Sequence, residues 1–266
     1  MLKKLFSKSV KNPYGWSGDY PSWDKVLTKA GGYDEKTILE CTKNALLKVK
    51  NGEAVYERDS VIFDKKEYPY ALIAFLKLSA ALKKRPLHIL DFGGSLGTTY
   101  YQLKEFLGAE LCASWNIVEQ PHYVACGKAN FADELLNFYS SIGECLADQK
   151  IDFVLLSSTV QYLPKPHVFL KELADYNFPF LLFDRTAFNT VPNDRLTLQV
   201  VPPEIYPASY PSWFFHEEFF LSHFASSYKV IADFPSYVEG EAVMYIDGKP
   251  VGTNKGFYLI HSSENA

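Results

Sequence analysis

Apolar and polar positions fall into blocks along the chain, and the block lengths divide it in two. From Leu87 onward, short apolar runs near 87–92, 114–119, 135–139, 151–157, 179–184, 228–234 and 256–261 are separated mostly by segments with helical spacing. Such strand-then-helix alternation predicts a parallel sheet covered on both faces. The last two runs, Tyr228 to Phe234 and Gly256 to His261, are joined by a stretch containing Gly and Asp rather than by a clear helix. That predicts a seven-stranded, mostly parallel sheet with an antiparallel last strand. The segment before Leu87 reads differently. Asn12 to Tyr33 is a loop rich in aromatic residues, glycine and proline. Asp34 is placed to cap a helix running to about Lys50, with Ile38, Thr42, Ala45, Leu46 and Val49 on one face and Gly52 beyond its end. A second amphipathic helix is expected from Pro69 to Lys83. The expected organisation is a helical extension or lid over residues 1–86, followed by a Rossmann-like α/β domain over 87–266.

Composition narrows the class. The 266 residues suffice for a full core, and 47% hydrophobic with 22% charged residues excludes wholesale disorder. A net charge of −4 without a dominant basic block argues against nucleic acid as the main partner. Cys41, Cys112, Cys126 and Cys145 show no metal-ligand spacing, as expected of reduced thiols in the cytoplasm. The first residues lack the apolar stretch of a signal peptide, and no segment is apolar enough to span a membrane. Lys3, Lys4, Lys8 and Lys11 around Leu2, Leu5, Phe6 and Val10 would allow weak peripheral membrane contact through residues 1–11; a solvated tail is the simpler reading.

The most informative chemistry lies in Leu87 to Gly97, where an apolar run closes on Asp91, turns through Gly93, Gly94, Ser95 and Gly97, and enters a helical stretch from Thr98 to Leu107. Strand, tight turn and helix bring a nucleotide-like ligand against bare backbone. The dinucleotide pattern G-x-G-x-x-G fails because its first glycine falls on Phe92. An acid at the strand end suits a cation better than a pyrophosphate, and S-adenosylmethionine carries both an ammonium and a sulfonium. A second apolar run, Trp115 to Val118, ends on Glu119, about 20 residues beyond the glycines, where a carboxylate can accept hydrogen bonds from both ribose hydroxyls. Without a ligand, the same glycines would serve a tight turn and close helix packing.

On these residues the chain resembles class I S-adenosylmethionine-dependent methyltransferases. More narrowly, it resembles a family of bacterial methyltransferases encoded among surface-polysaccharide genes. The blocks that carry the narrower resemblance are Trp16 to Trp23, Tyr56 to Ser60, Asp91 to Gly97, Val118 to Pro121, Ser157-Ser158 with Gln161 to Leu163, Asp184 to Thr186, and Ile205 to Trp213. Ser95 departs from the commonest turn, which has a glycine there. The resemblance implies methyl transfer from S-adenosylmethionine to a small-molecule or glycan-precursor acceptor, namely a hydroxyl of a sugar or nucleotide sugar.

Ligands in open α/β sheets sit beyond the carboxyl ends of the strands. Cofactor contacts are therefore expected from Asp91, Gly93, Gly94, Ser95 and Gly97, from Glu119 and Gln120, from Tyr139 and Ser140, and from Ser157 and Ser158. The acceptor is expected near Gln161, Asp184 and Arg185. Glutamine can orient a hydroxyl but not deprotonate it. Asp184 is the first choice for a base, and Arg185 for gripping an anionic group with both arms of its fork; a structural ion pair is the alternative. Ile205 to Phe215 reads as a proline-stiffened loop whose Tyr206, Tyr210 and Trp213 either face a sugar or pack as a flap. Arg58-Asp59 is either part of a lid or an exposed ion pair. No metal site is expected. The rival readings are a methyltransferase-like scaffold, supported by Gln161 in place of a base, and a nicotinamide-dependent sugar oxidoreductase, disfavoured by Phe92. A glycosyltransferase is weaker still, because no D-x-D motif occurs.

Overall fold

The computed structural model describes residues 14–31 and 35–264, so the basic segment 1–11 and the Asp34 cap lie outside the described residues. The elements before Leu87 are β1 (Gly15–Ser17), α1 (Trp23–Leu27), α2 (Glu35–Lys50), a hairpin of β2 (Tyr56–Arg58) and β3 (Val61–Phe63), and α3 (Tyr70–Lys83). The alternating region runs β4 (Leu87–Phe92), α4 (Thr98–Leu103), β5 (Cys112–Val118), α5 (Pro121–Asn130), β6 (Leu136–Tyr139), α6 (Ile142–Asp148), β7 (Phe153–Ser157), α7 (Pro166–Asp175) and β8 (Phe180–Asn189). It is followed by β9 (Arg195–Val200), β10 (Ser209–Phe214), α8 (Glu217–Ser222), β11 (Tyr228–Pro235), β12 (Val243–Ile246) and β13 (Lys249–His261).

The seven expected strands occur side by side in the order β6-β5-β4-β7-β8-β13-β11. The first five run parallel, while β13 is antiparallel to both β8 and β11. This is the Rossmann-like arrangement of class I methyltransferases. Strand order reverses at β4, so the crevice expected to take a ligand opens beyond its carboxyl end. Alternating strand residues enter two cores. Ile89, Trp115, Phe153 and Leu182 pack with Leu72 and Leu76 of α3, whereas Leu90, Val154, Leu156 and Leu181 pack with Leu170, Leu173 and Phe224 on the other face.

Four more strands join the sheet than the pattern predicts. β8 continues past Asp184 to Asn189, because Thr186, Ala187 and Phe188 go on pairing with β13 after a bulge. Ile205 to Phe215 is not a loop throughout, since Ser209–Phe214 forms β10 against β9. Its Pro211 is tolerated because β10 terminates the ladder and pairs there with β9 alone. The stretch 12–33 contains β1, which lies between β9 and β12, and the short helix α1. Asp247 and Gly248, at φ 54° and 73°, make the two-residue turn from β12 to β13. Pairings lead from β8 through β13, β12, β1, β9 and β10 and return to β8 by a bridge between Phe188 and Phe215. This ring encloses Ala187, Phe214, Met244 and Ile246, with Trp16 and Val251 packed alongside. Among the described residues, no helix is long and apolar enough to cross a membrane.

Two glycines of β13 set how closely it approaches β8. A Cβ at Gly252 would lie 2.1 Å from the Phe188 carbonyl oxygen, and one at Gly256 would lie 2.4 Å from that of Phe183 and from the Phe234 ring. Gly256 stands opposite the bulge that presents Asp184 and Arg185. Gly256→Ala is therefore expected to cost about 1–3 kcal/mol through forced separation of the strands. Urea denaturation measures this, and an unchanged midpoint would contradict the close approach.

Candidate active site

Five parallel strands bring their carboxyl ends to one edge. Beyond Asp91 the chain turns through Gly93 and Gly97, at φ 71° and 107°, and Ser95 also takes left-handed backbone at φ 54°. A Cβ at Gly93 would meet the Thr159 methyl at 2.4 Å, and one at Gly94 would meet the Asp91 carboxylate at 2.5 Å. The turn is thus pressed onto Asp91 below and onto the segment after β7 beside it. Thr159 fastens that segment by donating its hydroxyl to the Phe92 carbonyl at 3.1 Å.

Asp91 is buried and accepts a hydrogen bond from the Trp115 indole at 3.1 Å. Half-buried Glu119 accepts from the Ser95 N–H at 3.3 Å and from the Gln120 N–H at 2.7 Å. The acid ending β5 therefore touches the turn that follows β4. Gln120 and Ser140 are exposed at the same edge. Tyr139 is buried and packs into the core, and its carbonyl accepts the Glu119 N–H at 3.0 Å. The Ser140 N–H is engaged by Glu144 of α6 at 2.7 Å.

Further along the edge, Ser157 pairs in register with Asp184 and donates to its Oδ2 at 3.3 Å. Asp184 Oδ1 accepts the Arg185 N–H at 2.9 Å, and the Asp184 carbonyl accepts the Ser158 N–H at the same distance. Gln161 is buried and donates from Nε2 to the Arg185 carbonyl at 3.0 Å and to Ser158 Oγ at 3.3 Å. Its Oε1 is buried without a hydrogen-bond partner. Arg185, at φ 48°, directs both arms of its fork at Glu241: Nε lies 3.0 Å from Oε2 and Nη2 lies 2.9 Å from Oε1. The ion pair at this strand end is therefore Arg185 with Glu241, and the fork is already filled.

The pattern alone did not reveal that Tyr56 to Phe63 is a hairpin reaching over this edge. Asp59 and Ser60, at φ 53° and 69°, form its two-residue turn. Glu57 is buried and accepts from Thr98 Oγ1 at 2.7 Å, at the start of α4, and Asp59 lies 3.5 Å from Arg185. Arg58 pairs with Glu67 at 2.6 Å. A signal was present: Arg58-Asp59-Ser60 separates two short runs carrying aromatic residues, a weaker hairpin mark than Asp-Gly. Glu241 gave no comparable signal, because only the fold brings it to Arg185. Of the eight non-glycine residues with positive φ among the described residues, Asp59, Ser60, Ser95, Ser158 and Arg185 all belong to this edge or its cover. Backbone strain is therefore concentrated at this edge, as it is at many ligand-binding sites.

Four carboxyls of the site are shifted in one direction. Burial pushes Asp91 and Glu57 up to about 7 and Asp184 up to about 6, and it raises Glu119 as well. Burial also opposes ionisation of Glu241, yet Arg185 holds that carboxyl below its usual range. The site therefore keeps several desolvated acids beside a glycine turn, a donor set that fits a ligand with positive charge and a vicinal diol. S-adenosylmethionine has both. Among the described residues, no group of His, Cys, Asp and Glu is arranged to hold a metal.

No family model and no curated protein matches the chain. Solved structures do resemble it. One is an S-adenosylmethionine-dependent methyltransferase from Clostridium acetobutylicum, 10% identical, covering 74% of this chain and 92% of that one at a TM-score of 0.46. An amino pentose methyltransferase from Micromonospora echinaspora, with S-adenosylmethionine bound, is 13% identical over 74% of this chain and 92% of that one, at 0.45. The N-terminal domain of EvdMO1, in the presence of S-adenosylhomocysteine and D-fucose, is 11% identical over 86% and 97%, at 0.46. The fold of the present chain is assigned from its own strand order and register.

The raised carboxyls set a pH dependence for the ligand-free protein. Unfolded carboxyls titrate near about 4, so between about pH 5 and 7 the folded state holds protons on Asp91, Glu57 and Asp184 that the unfolded chain has released. Folding then takes up protons, and stability falls as pH rises through that window, levelling above about 7. The thermal midpoint of the ligand-free protein is expected to drop between pH 5 and 7.5, with a smaller drop in Asp91→Asn. A midpoint that rises over this interval would show that these acids are not held protonated.

Proposed function

We propose that the chain is an S-adenosylmethionine-dependent methyltransferase acting in the cytoplasm on a small-molecule or glycan precursor. Its acceptor is a hydroxyl of a sugar or nucleotide sugar used in surface-polysaccharide synthesis, and nucleic acid is not its partner. The observation that carries the cofactor assignment is the contact between Glu119 and the Ser95 N–H. It joins the diol-binding acid to the glycine turn at the point where strand order reverses. The sugar acceptor is supported by the sequence blocks that resemble surface-polysaccharide methyltransferases.

When bound, S-adenosylmethionine supplies a methyl group on a sulfonium for in-line transfer to the acceptor oxygen. Glu119 offers two carboxylate oxygens to the ribose hydroxyls, and the turn from Gly93 to Gly97 lets backbone approach closely. Asp91 and the other desolvated acids favour the cationic ligand and repel a pyrophosphate, which counts against the nicotinamide reading. Asp184 receives the acceptor's proton: raised to about 6, it is ionised at neutral pH yet more basic than a solvated aspartate. Ser157 and the Arg185 N–H fix its two oxygens. The hairpin from β2 to β3 covers the edge and keeps water from competing with the acceptor. Arg185, with its fork held by Glu241, positions the strand end and does not bind a substrate anion.

Calorimetric titration with S-adenosylhomocysteine, paired with a methyl-transfer assay on sugar acceptors, tests this reading. Glu119→Ala is expected to weaken binding by about tenfold or more, the loss of hydrogen bonds to a charged group. Asp184→Asn is expected to bind normally and lose turnover by about 100-fold or more. Binding of NADH in place of S-adenosylhomocysteine, or full turnover in Asp184→Asn, would contradict the corresponding assignment.

A further inference from the structure

Two buried amides flank Arg185, and each has its nitrogen committed and its oxygen unpartnered. Gln161 turns Nε2 to the Arg185 carbonyl, which can only accept, so Oε1 faces away from it. Asn254 of β13 turns Nδ2 to Glu241 Oε2 at 3.1 Å, and a carboxylate likewise can only accept. Both side chains are more than nine-tenths buried, and neither Gln161 Oε1 nor Asn254 Oδ1 has a hydrogen-bond partner. Buried acceptors are normally satisfied, and each that is not requires an explanation. Here the orientation is enforced. Glu241 holds Asn254 with the same oxygen that receives Arg185 Nε, while the bulge at Arg185 aims its carbonyl at Gln161.

The surroundings define what the two oxygens await. Tyr162 donates to Gln199 at 3.0 Å and meets Tyr210 edge-on at 5.4 Å between centroids. Glu241 and Asp59 neutralise the Arg185 cation, so it is not open to a phosphate or carboxylate. Two fixed acceptors, tyrosine rings and a spent cation suit an uncharged ring bearing hydroxyl donors.

We propose that Gln161 Oε1 and Asn254 Oδ1 form the recognition pair of the acceptor subsite, each accepting a hydrogen bond from a hydroxyl of a neutral sugar ring. Arg185, Glu241 and Asp59 act as positioning residues that hold the two amides and the cover. This deepens the methyl-transfer reading and rests on it for the identity of the site. Both oxygens are buried, so a sugar reaches them only when the edge opens, and the 3.5 Å contact between exposed Asp59 and Arg185 is the link that would yield.

The test uses the full chain without cofactor and ligand-observed saturation-transfer NMR. The probes are methyl glycosides of glucose, galactose, mannose, fucose, rhamnose and xylose, with glucosamine and glucose 6-phosphate as charged counterparts. Gln161→Met and Asn254→Leu remove the unpartnered oxygens, together with the amide donors to the Arg185 carbonyl and Glu241, at similar volume. At least one neutral glycoside is expected to show transfer that falls about tenfold or more in either variant, while the thermal midpoint falls only modestly, because each variant also loses the amide donor to the Arg185 carbonyl or to Glu241. A structural role alone would lower the midpoint and leave any sugar signal intact, which would overturn the proposal. It is equally overturned if no neutral glycoside binds, or if only the phosphate- or ammonium-bearing sugar does. A separate S-adenosylhomocysteine titration judges the methyltransferase reading, so the two can fail independently.

Discussion

The structure is organised around negative charge that the chain buries and does not fully neutralise. Asp91 and Glu119 lie at the ends of the adjacent strands β4 and β5, Asp184 lies at the bulge of β8 with β7 between, and Glu57 of the hairpin reaches Thr98 at the start of α4. Burying a carboxylate without a cation is costly, and the acids respond by holding protons into the neutral range. The cations beside them are already paired, Arg185 with Glu241 and Asp59, and Arg58 with Glu67. The close turn, the left-handed Ser95 and the covering hairpin therefore surround buried acids whose charge a cationic ligand, as proposed, would balance.

That site is displayed by an asymmetric sheet. On one side of β4, β5 and β6 complete the half that carries Glu119. On the other side, β8 and β13 extend past the edge and enter the ring of strands around Phe214 and Ile246. The bulge between these halves re-aims Asp184 and Arg185, and it exists because Gly256 permits the approach of β13. The subsite proposed for the acceptor consequently draws on residues far apart in the chain: Asp59, Gln161, Arg185, Glu241 and Asn254.

This distribution explains what could be read in advance. The alternating region was legible because each strand there is a short apolar run, and Asp91 to Gly97 was legible because its chemistry is contiguous. The placing of Glu119 beside that turn followed from spacing. The end of β8 was misplaced because Asp184-Arg185 looks like a strand terminus, and only the pairing with β13 shows that the strand continues. β10 was hidden by its prolines, which an end strand tolerates. Arg185 was read as an anion clamp because its partner Glu241 lies 56 residues away, and no local pattern reports such a contact.

The central claim, that these acids await a cation, is tested most directly by the protons released when ligand binds. Calorimetry of S-adenosylmethionine binding near pH 6.5, repeated in buffers of different ionisation enthalpy, gives that number. Asp91 and Glu57 are partly protonated there, and a cation binds their ionised forms, so net proton release is expected, diminishing by pH 8.5 and in Asp91→Asn. Tight binding with no proton release, or with proton uptake, would show that the carboxylates do not answer the charge of the ligand and would contradict the account.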